Sequence, residues 1–169
     1  AMIAIAGKPI LQYAVEALAK NGIRNIVIVV GYRREHVFNY FGSGEKFGVN
    51  ITYVTQERQL GTAHALMHAR QVAQDEFLVL PGDNLIEANT ISRFINVKPD
   101  SVLVKSVENT ARYGVVSTDG DMVQDIKEKP KETESDIINT GIYAFSEKVF
   151  DYINDELAIP DVINNMIAS

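Results

Sequence analysis

The chain has 169 residues, of which 46% are hydrophobic and 22% are charged, and it has a formal net charge of −6 and no cysteine. This length predicts one domain with a proper core, and the missing cysteines exclude disulfides, zinc–thiolate sites and thiol catalysis. The acidic balance argues against a nucleic-acid surface, and no apolar run approaches the roughly 20 residues that span a membrane. The apolar start lacks the basic residues of a signal peptide, so a cytoplasmic protein is predicted.

Strand and helix signals alternate over the first part of the chain. Pro9 marks the first turn of a helix that ends at Asn21-Gly22, and the β-branched run Asn25–Val30 predicts a buried strand. Further helices are predicted at Glu35–Phe41, Thr62–Val72 and Asn89–Phe94, and further strands at Val49–Thr55 and Phe77–Leu80. This alternation predicts an α/β fold with a mostly parallel sheet and helices on both of its faces.

The pattern changes after residue 100. Asp119-Gly120 lies between two short apolar runs and is a strong hairpin signal. The predicted strands are Ser101–Ser106, Tyr113–Thr118, Met122–Lys127 and Ile137–Phe145, and helices follow at Glu147–Ile153 and Pro160–Ile167. We therefore expect an antiparallel hairpin extension beside the parallel half. No internal repeat or linker divides the chain, so residues 1–169 are predicted to form a single domain.

Gly31, Gln56 and Asp83 each lie just past the end of a predicted strand. Ligands of open α/β sheets bind outside the carboxyl ends of the strands, so these residues are expected on one rim. Asp83 follows the apolar run Phe77–Leu80 and a Pro-Gly pair. It is either a turn former or a ligand of Mg²⁺, which needs few protein carboxylates beside waters and substrate phosphates.

The segment Gly61-Thr62 opens the third predicted helix and has two interpretations. In the first, Gly61 makes a tight turn and the Thr62 hydroxyl caps a free backbone N–H. In the second, the same exposed N–H groups donate to oxygens of a ligand. Gln56 supplies an amide that both donates and accepts, as recognition of a pyrimidine edge requires.

Two short segments of the second half also carry polar groups at strand ends. Glu128-Lys129 is either a solvated edge or a pair that serves a sugar hydroxyl and a phosphate. Asn139 lies two residues before Gly141 in a segment that is either a bulge or a sugar-binding turn, where Gly141 permits close approach. The histidines His36, His64 and His68 lack a third ligand nearby and are interpreted as helix-surface residues.

Seven motifs in this order resemble those of the sugar-1-phosphate nucleotidyltransferases. Within this family, the motifs most resemble those of glucose-1-phosphate thymidylyl- and uridylyltransferases, including archaeal bifunctional forms. The resemblance covers nearly the whole chain. The motifs are Gly-Lys-Pro-Ile-Leu (7–11), Ile-Val-Ile-Val-Val-Gly-Tyr (26–32), Gln56 with Leu-Gly-Thr-Ala-His-Ala-Leu (60–66), Pro-Gly-Asp (81–83), Tyr-Gly-Val-Val (113–116), Glu-Lys-Pro (128–130) and Asn-Thr-Gly-Ile-Tyr (139–143). The fold implied by the resemblance is Rossmann-like, of the nucleotide-diphospho-sugar transferase type.

The resemblance also implies roles for residues of the nucleotide half. Gln56, Gly61 and Thr62 would hold the pyrimidine base of UTP or dTTP, and Asp83 would be a catalytic residue that binds Mg²⁺ near the reacting phosphates. The implied reaction is in-line attack of a sugar-1-phosphate oxygen on the α-phosphorus of the nucleotide, with release of pyrophosphate.

In the sugar half, the resemblance assigns Gly114, Glu128 and Asn139 to the sugar, and Lys129 to the sugar phosphate as a second catalytic residue. The partners implied are a nucleoside triphosphate and a sugar 1-phosphate, with glucose 1-phosphate the first candidate. No nucleic acid or membrane partner is expected, and a homo-oligomer is left open.

The chain departs from the family pattern at both ends. The family opens with a strand, a Gly-rich loop that contains Gly-Thr-Arg, and a Pro-Lys pair, whereas this sequence starts at Ala1, after the place of that lysine. Lys8 lies in a later motif and does not replace it, and Asp161 is not the family's second metal ligand. We therefore expect residues 1–169 alone to be inactive, and to be either the ordered part of a longer chain, which is favoured, or a fragment.

There are two alternative functions. A non-catalytic regulatory or sugar-nucleotide-binding relative would keep the base-binding residues without the chemistry. A dehydrogenase-type dinucleotide domain is disfavoured because no Gly-x-Gly-x-x-Gly follows a predicted strand.

Overall fold

The structure, a computed structural model, describes residues 1–133 and 135–169. The strands are Ala4–Ile5 (β1), Lys8–Pro9 (β2), Asn25–Val30 (β3), Asn50–Thr55 (β4), Glu76–Val79 (β5), Ser101–Ser106 (β6), Gly114–Asp119 (β7), Met122–Glu128 (β8) and Ile137–Ser146 (β9). The α-helices are Ile10–Lys20 (α1), Arg34–Phe41 (α2), Thr62–His68 (α3), Ala88–Phe94 (α4) and Ile159–Ala168 (α5). The predicted helices and strands occur in the predicted order, and the two-residue strands β1 and β2 were not predicted.

Two helices differ from their predicted form. α3 ends at His68, because the N–H groups of Ala69 and Arg70 bond to carbonyls three residues back and tighten the chain into turns. Glu147–Tyr152 is a 3₁₀ helix, as is the short segment Glu45–Phe47. No helix within the described ranges has the length and apolar character needed to cross a membrane.

β3 and β4 form a parallel pair whose register runs from Asn25 opposite Asn50 to Val30 opposite Thr55. Ile26, Ile28 and Val30 are buried, because successive side chains of a strand alternate between its two faces. Both strands end at the same edge of this pair, and the chain leaves that edge at Gly31 and Gln56.

β9 is the centre of the larger sheet, and it pairs antiparallel with β5, β6 and β7. The hairpin partner β8 extends this sheet along β7, and Gly120 in the turn has φ 58°. The α/β class is therefore confirmed, but the expectation of a mostly parallel sheet needs a correction. In the described chain β3–β4 is the one parallel pair, because β5 pairs with the returning strand β9 and not with β3.

Alternate side chains of β9 enter two apolar clusters. Ile142 and Ala144 pack with residues of α1, α2, α4 and β3. Tyr143 and Phe145 pack with residues of α3, α5, β7 and β8. Helices therefore cover both faces of β9, as the sequence predicts, and this strand fixes the relation between the two halves of the core.

Asn164 of α5 covers the outer edge of β8. Its Oδ1 accepts the Ile126 N–H at 2.9 Å, and its Nδ2 donates to the Ile126 carbonyl at 2.9 Å. The side-chain amide thus makes the two hydrogen bonds that the backbone of a neighbouring strand would make. It satisfies an N–H and a carbonyl that an edge strand otherwise exposes.

Asn164→Ala is expected to lower the free energy of unfolding by about 2 kcal/mol, because two partly buried hydrogen bonds are lost. Asn164→Asp keeps the acceptor but puts a carboxylate oxygen opposite the Ile126 carbonyl, so it is expected to be at least as destabilising as alanine. Urea denaturation measures both variants. A loss for Asn164→Ala within about 0.5 kcal/mol, as at an ordinary surface position, would contradict this account.

Candidate active site

A cleft of about 310 Å³ lies at the edge where β3 and β4 end. It is lined by residues of the two segments that leave these strands, namely Gly31, Tyr32, Arg34, Glu35, Thr55, Gln56, Glu57 and Gln59. The Gln56 N–H donates to the Val30 carbonyl at 2.8 Å and continues the parallel ladder by one bond. The structure therefore places Gly31 and Gln56 together on one rim, as the positions of the strand ends predict.

The side chain of Gln56 is only 8% exposed. Its Nε2 donates to the Gly61 carbonyl at 3.1 Å and lies 2.8 Å from Nδ1 of His64. Both amide hydrogens are thus used inside the protein, and Oε1 has no protein partner within the described ranges. The sequence-based expectation that this amide both donates and accepts is corrected, because its donor half is already occupied.

Gly61 is required by a close approach of the chain. It has φ 149°, and a Cβ at this position would lie 2.1 Å from the Leu157 carbonyl oxygen. That carbonyl accepts the Ala63 N–H at 2.9 Å. The segment at Leu157 therefore packs directly against the start of α3.

Thr62 has a different contact from the cap that its position suggests. Its hydroxyl accepts the Ile159 N–H at 3.0 Å and makes no cap bond to α3. The capping interpretation is therefore wrong, and Thr62 instead joins the start of α3 to α5. This contact was missed because its partner is 97 residues away in sequence.

Asp83 lies in the exposed turn after β5. The register of β5 on β9 puts Val79 opposite Tyr143, and the Pro81 side chain reaches Gly141, where a Cβ would lie 3.6 Å from Pro81 Cγ. The carboxylate is therefore on the turn that contacts the 139–141 segment. The described chain has no group of three or more His, Cys, Asp and Glu side chains that could hold a metal ion, and the assignment of Asp83 to Mg²⁺ stays a prediction.

The three residues predicted to hold a sugar lie together. Gly114 is opposite Glu128 in the β7–β8 pair. A Cβ on Gly114 would lie 2.7 Å from Glu128 Oε1 and 3.6 Å from Asn139 Cβ. The missing side chain at Gly114 leaves room for the Glu128 carboxylate, so these residues form one polar surface beside the 139–141 turn.

Tyr143 orients Asn139. The Asn139 Nδ2 donates to the Tyr143 hydroxyl at 2.7 Å, and Asn139 Oδ1 accepts the Gly141 N–H at 2.9 Å. Burial, with a smaller contribution from the Glu128 charge, raises the pKa of Tyr143 to about 12, so the phenol stays neutral. No role was predicted for Tyr143, although its spacing of four residues from Asn139 on a strand was a usable signal.

Lys129 ends β8 with a left-handed backbone, at φ 44°, and its N–H donates to the Tyr113 carbonyl at 3.0 Å. The side chain is exposed and forms no ion pair within residues 1–133 and 135–169. A non-glycine residue in this conformation is uncommon. The bend changes the direction of the chain immediately after Glu128.

Lys8 forms an ion pair with Glu16 at 2.5 Å, which lowers the pKa of Glu16, so the Lys8 ammonium already has a partner.

Two of the three histidines, His36 and His68, are exposed, as predicted. The surface interpretation of His64 is wrong, because its ring is half-buried against the Gln56 amide. The turn at residues 57–61 brings the two together, and no periodic pattern reports it.

Known proteins are similar to this chain in both sequence and fold. The family described as nucleotidyl transferase matches residues 1–169. The chain is 35% identical to the bifunctional protein GlmU of Methanococcus maripaludis, over 98% of this chain and 41% of that protein. It is also 35% identical to the UTP–glucose-1-phosphate uridylyltransferase AglF of Haloferax volcanii, over 88% of this chain and 64% of that protein.

A solved structure described as a glucose-1-phosphate thymidylyltransferase of Bacillus anthracis superimposes with a TM-score of 0.86. It is 34% identical, and the match covers 99% of this chain and 73% of that one. The chain spans less than half the length of the GlmU protein that it matches. These matches confirm the resemblance to sugar-1-phosphate nucleotidyltransferases, and the chain belongs to the nucleotidyl transferase family.

Proposed function

We propose that the protein transfers a nucleotidyl group from UTP or dTTP to a sugar 1-phosphate, with glucose 1-phosphate the first candidate. The observation that carries this proposal is the cluster of Gly114, Glu128 and Asn139 beside the turn that bears Asp83. A sugar-binding surface next to a lone exposed carboxylate suits a substrate that joins a sugar to phosphates. The names of AglF and of the Bacillus anthracis protein describe reactions of this class.

The nucleotide half of the site would bind the base through Gln56 and Gly61. The Oε1 atom of Gln56 would accept the N3–H of uracil or thymine. The Gly61 N–H donates to no backbone carbonyl in the part of the chain that is described, so it would donate to a carbonyl oxygen of the base. Thr62 would act indirectly, since its hydroxyl is bonded to Ile159 and holds the start of α3 in place.

The sugar half would use two acceptors and the space beside Gly114. The Glu128 carboxylate and the Asn139 amide would bond to sugar hydroxyls, and Gly114 would let that carboxylate lie close to the backbone. Lys129 would pair with the sugar phosphate, for which its exposed ammonium is suited. The bend at Lys129 would turn its backbone away from the strand that holds Glu128.

The reaction would be an in-line displacement. An oxygen of the sugar phosphate forms a bond to the α-phosphorus, and the bond from that phosphorus to the leaving pyrophosphate breaks. Mg²⁺ held by Asp83 would neutralise negative charge on the reacting phosphates. The protein residues position the two substrates and supply positive charge at Lys129, which is the main requirement of phosphoryl chemistry.

The test is pyrophosphate release by the longer protein that contains residues 1–169, with glucose 1-phosphate and each of UTP, dTTP and CTP, because these residues alone are expected to be inactive. UTP and dTTP are expected to react with a kcat/KM about 10-fold or more above that of CTP, because cytosine has no N3–H for Gln56 Oε1. Equal rates for all three nucleotides would contradict the proposed base site. Omitting the sugar phosphate controls for simple hydrolysis.

A second candidate is a non-catalytic relative that binds sugar nucleotides. This candidate is favoured by the exposure of Asp83, which has no supporting metal ligands among the described residues. It predicts nucleotide-sugar binding without pyrophosphate release and without a requirement for Asp83.

Three further expectations stay predictions. Residues 1–169 are expected to form a single domain of a longer cytoplasmic protein, and a homo-oligomer remains open. Residues 1–169 alone are also expected to be inactive. Pyrophosphate release by a polypeptide whose measured mass equals these residues would contradict that expectation.

A further inference from the structure

His64 touches the residue proposed to recognise the base. Its Nδ1 lies 2.8 Å from Gln56 Nε2, and the ring of His68 packs against the His64 ring with centroids 4.8 Å apart. His64 is on the first turn of α3, and Gln56 is at the end of β4. The contact therefore joins the start of α3 to the end of β4, where Gln56 lines the cleft.

The direction of this hydrogen bond is fixed by a third group. The Gly61 carbonyl can only accept, so the Gln56 atom at 3.1 Å from it must be the amide nitrogen. That nitrogen also faces His64 Nδ1, which must then be the acceptor. This hydrogen bond therefore requires that Nδ1 carry no proton and that the ring N–H be at Nε2.

The remaining polar atom of Gln56 is its oxygen. Among the residues that the structure describes, no side-chain nitrogen or oxygen is both buried and without a partner. Oε1 of Gln56 bonds to none of them, so it reaches the solvent beside a cleft that Gln56 lines. The site offers a base one acceptor from this amide and no donor.

We propose that His64 is a positioning residue that holds the Gln56 amide with its oxygen toward the base. An acceptor at this place suits the N3–H of uracil or thymine and opposes the N3 lone pair of cytosine. Two acceptors, Gly61 O and His64 Nδ1, hold the nitrogen inward, and rotating the amide would replace both bonds by repulsions. This inference rests on the proposed function, since it assigns the origin of base selectivity within that site.

Nuclear magnetic resonance tests the arrangement in the free protein. A two-bond ¹H–¹⁵N correlation spectrum of the neutral imidazole rings is expected to show the His64 proton on Nε2 and an unprotonated Nδ1. A His64 proton on Nδ1 would overturn the proposal, because that nitrogen would then be a second donor facing a donor.

Steady-state kinetics test the effect of His64 on nucleotide binding and base selectivity. His64→Ala is expected to raise the KM for UTP and dTTP about 5-fold with kcat within about 2-fold, since one hydrogen bond that orients the amide is lost. The preference for UTP over CTP is expected to fall by a similar factor. His64→Asn places an amide oxygen near the position of Nδ1, so it is expected to restore both values to within about 2-fold.

His68→Ala is the matched control. It removes the ring that packs against His64 and leaves the bond to Gln56, so KM and selectivity are expected to stay within about 2-fold of the wild type. An unchanged UTP-to-CTP preference in His64→Ala would overturn the inference while the proposed function stands. Absence of turnover by the longer protein that contains residues 1–169 would instead contradict the proposed function, and the ring spectrum would still decide the role of His64.

Discussion

Asp83→Ala is expected to reduce pyrophosphate release about 10²- to 10³-fold, because the site loses the protein carboxylate that would hold Mg²⁺ beside the reacting phosphates. The side chain is exposed and lies in a turn, so the same change is expected to leave the melting temperature nearly unaltered. Stopped pyrophosphate assays at saturating substrate measure the first effect, and thermal denaturation measures the second.

Asp121→Ala is the control for this substitution. Asp121 is exposed at the tip of the β7–β8 hairpin, whereas Gly114 and Glu128 lie at its other end. Its loss removes one negative charge without touching the rim, so activity is expected to stay within about 2-fold. Mg²⁺-dependent binding of the nucleotide is the second readout. If Asp83→Ala keeps that binding intact, the non-catalytic alternative gains support and the metal assignment fails.

Gly61→Ala is expected to lower the free energy of unfolding by about 3 kcal/mol and to abolish measurable base selectivity. The new Cβ would lie 2.1 Å from the Leu157 carbonyl oxygen, a backbone atom that cannot move alone. Displacing it breaks the Ala63–Leu157 bond and shifts the carbonyl that holds the Gln56 amide. Urea denaturation and the UTP-to-CTP preference measure the two consequences.

Gly120→Ala separates the clash from the backbone conformation. Gly120 also has a positive φ, at 58°, but a Cβ there would meet nothing within 4 Å. Its substitution is expected to cost about 1 kcal/mol through backbone strain and to leave base selectivity unchanged. Equal losses of stability in the two variants would show that the Leu157 contact is not what requires a glycine at residue 61.

The sequence predicted those parts of the site that depend on strand ends and on one hairpin. Gln56 follows a strand whose limits were read to within a residue, and the Asp119-Gly120 turn gives the β7–β8 hairpin. These are local signals, since turn residues and alternation determine where a strand stops and which residue faces which. The position of Gly114 opposite Glu128 also needs the bulge between Ser117 and Thr118, and the placement of Asp83 near Asn139 needs the pairing of β5 with β9, neither of which the sequence predicted.

Contacts between distant segments could not be predicted in the same way. The bond from Ile159 to Thr62 and the approach of Leu157 to Gly61 depend on where α5 packs, which periodicity does not report. The partner of β5 was also hidden, because a short buried apolar run has the same pattern whether its neighbour is parallel or antiparallel. His64 was missed for a related reason, since only the fold of residues 57–61 brings its ring to Gln56.

A crystal structure of the protein with UDP-glucose and Mg²⁺ tests the central claim most directly, because that claim places a base and a sugar on one rim. We expect the uracil N3 within about 3 Å of Gln56 Oε1, and glucose hydroxyls within about 3 Å of Glu128 and Asn139. A sugar nucleotide bound with its base away from Gln56, or with its glucose away from the Gly114–Glu128–Asn139 cluster, would contradict the account.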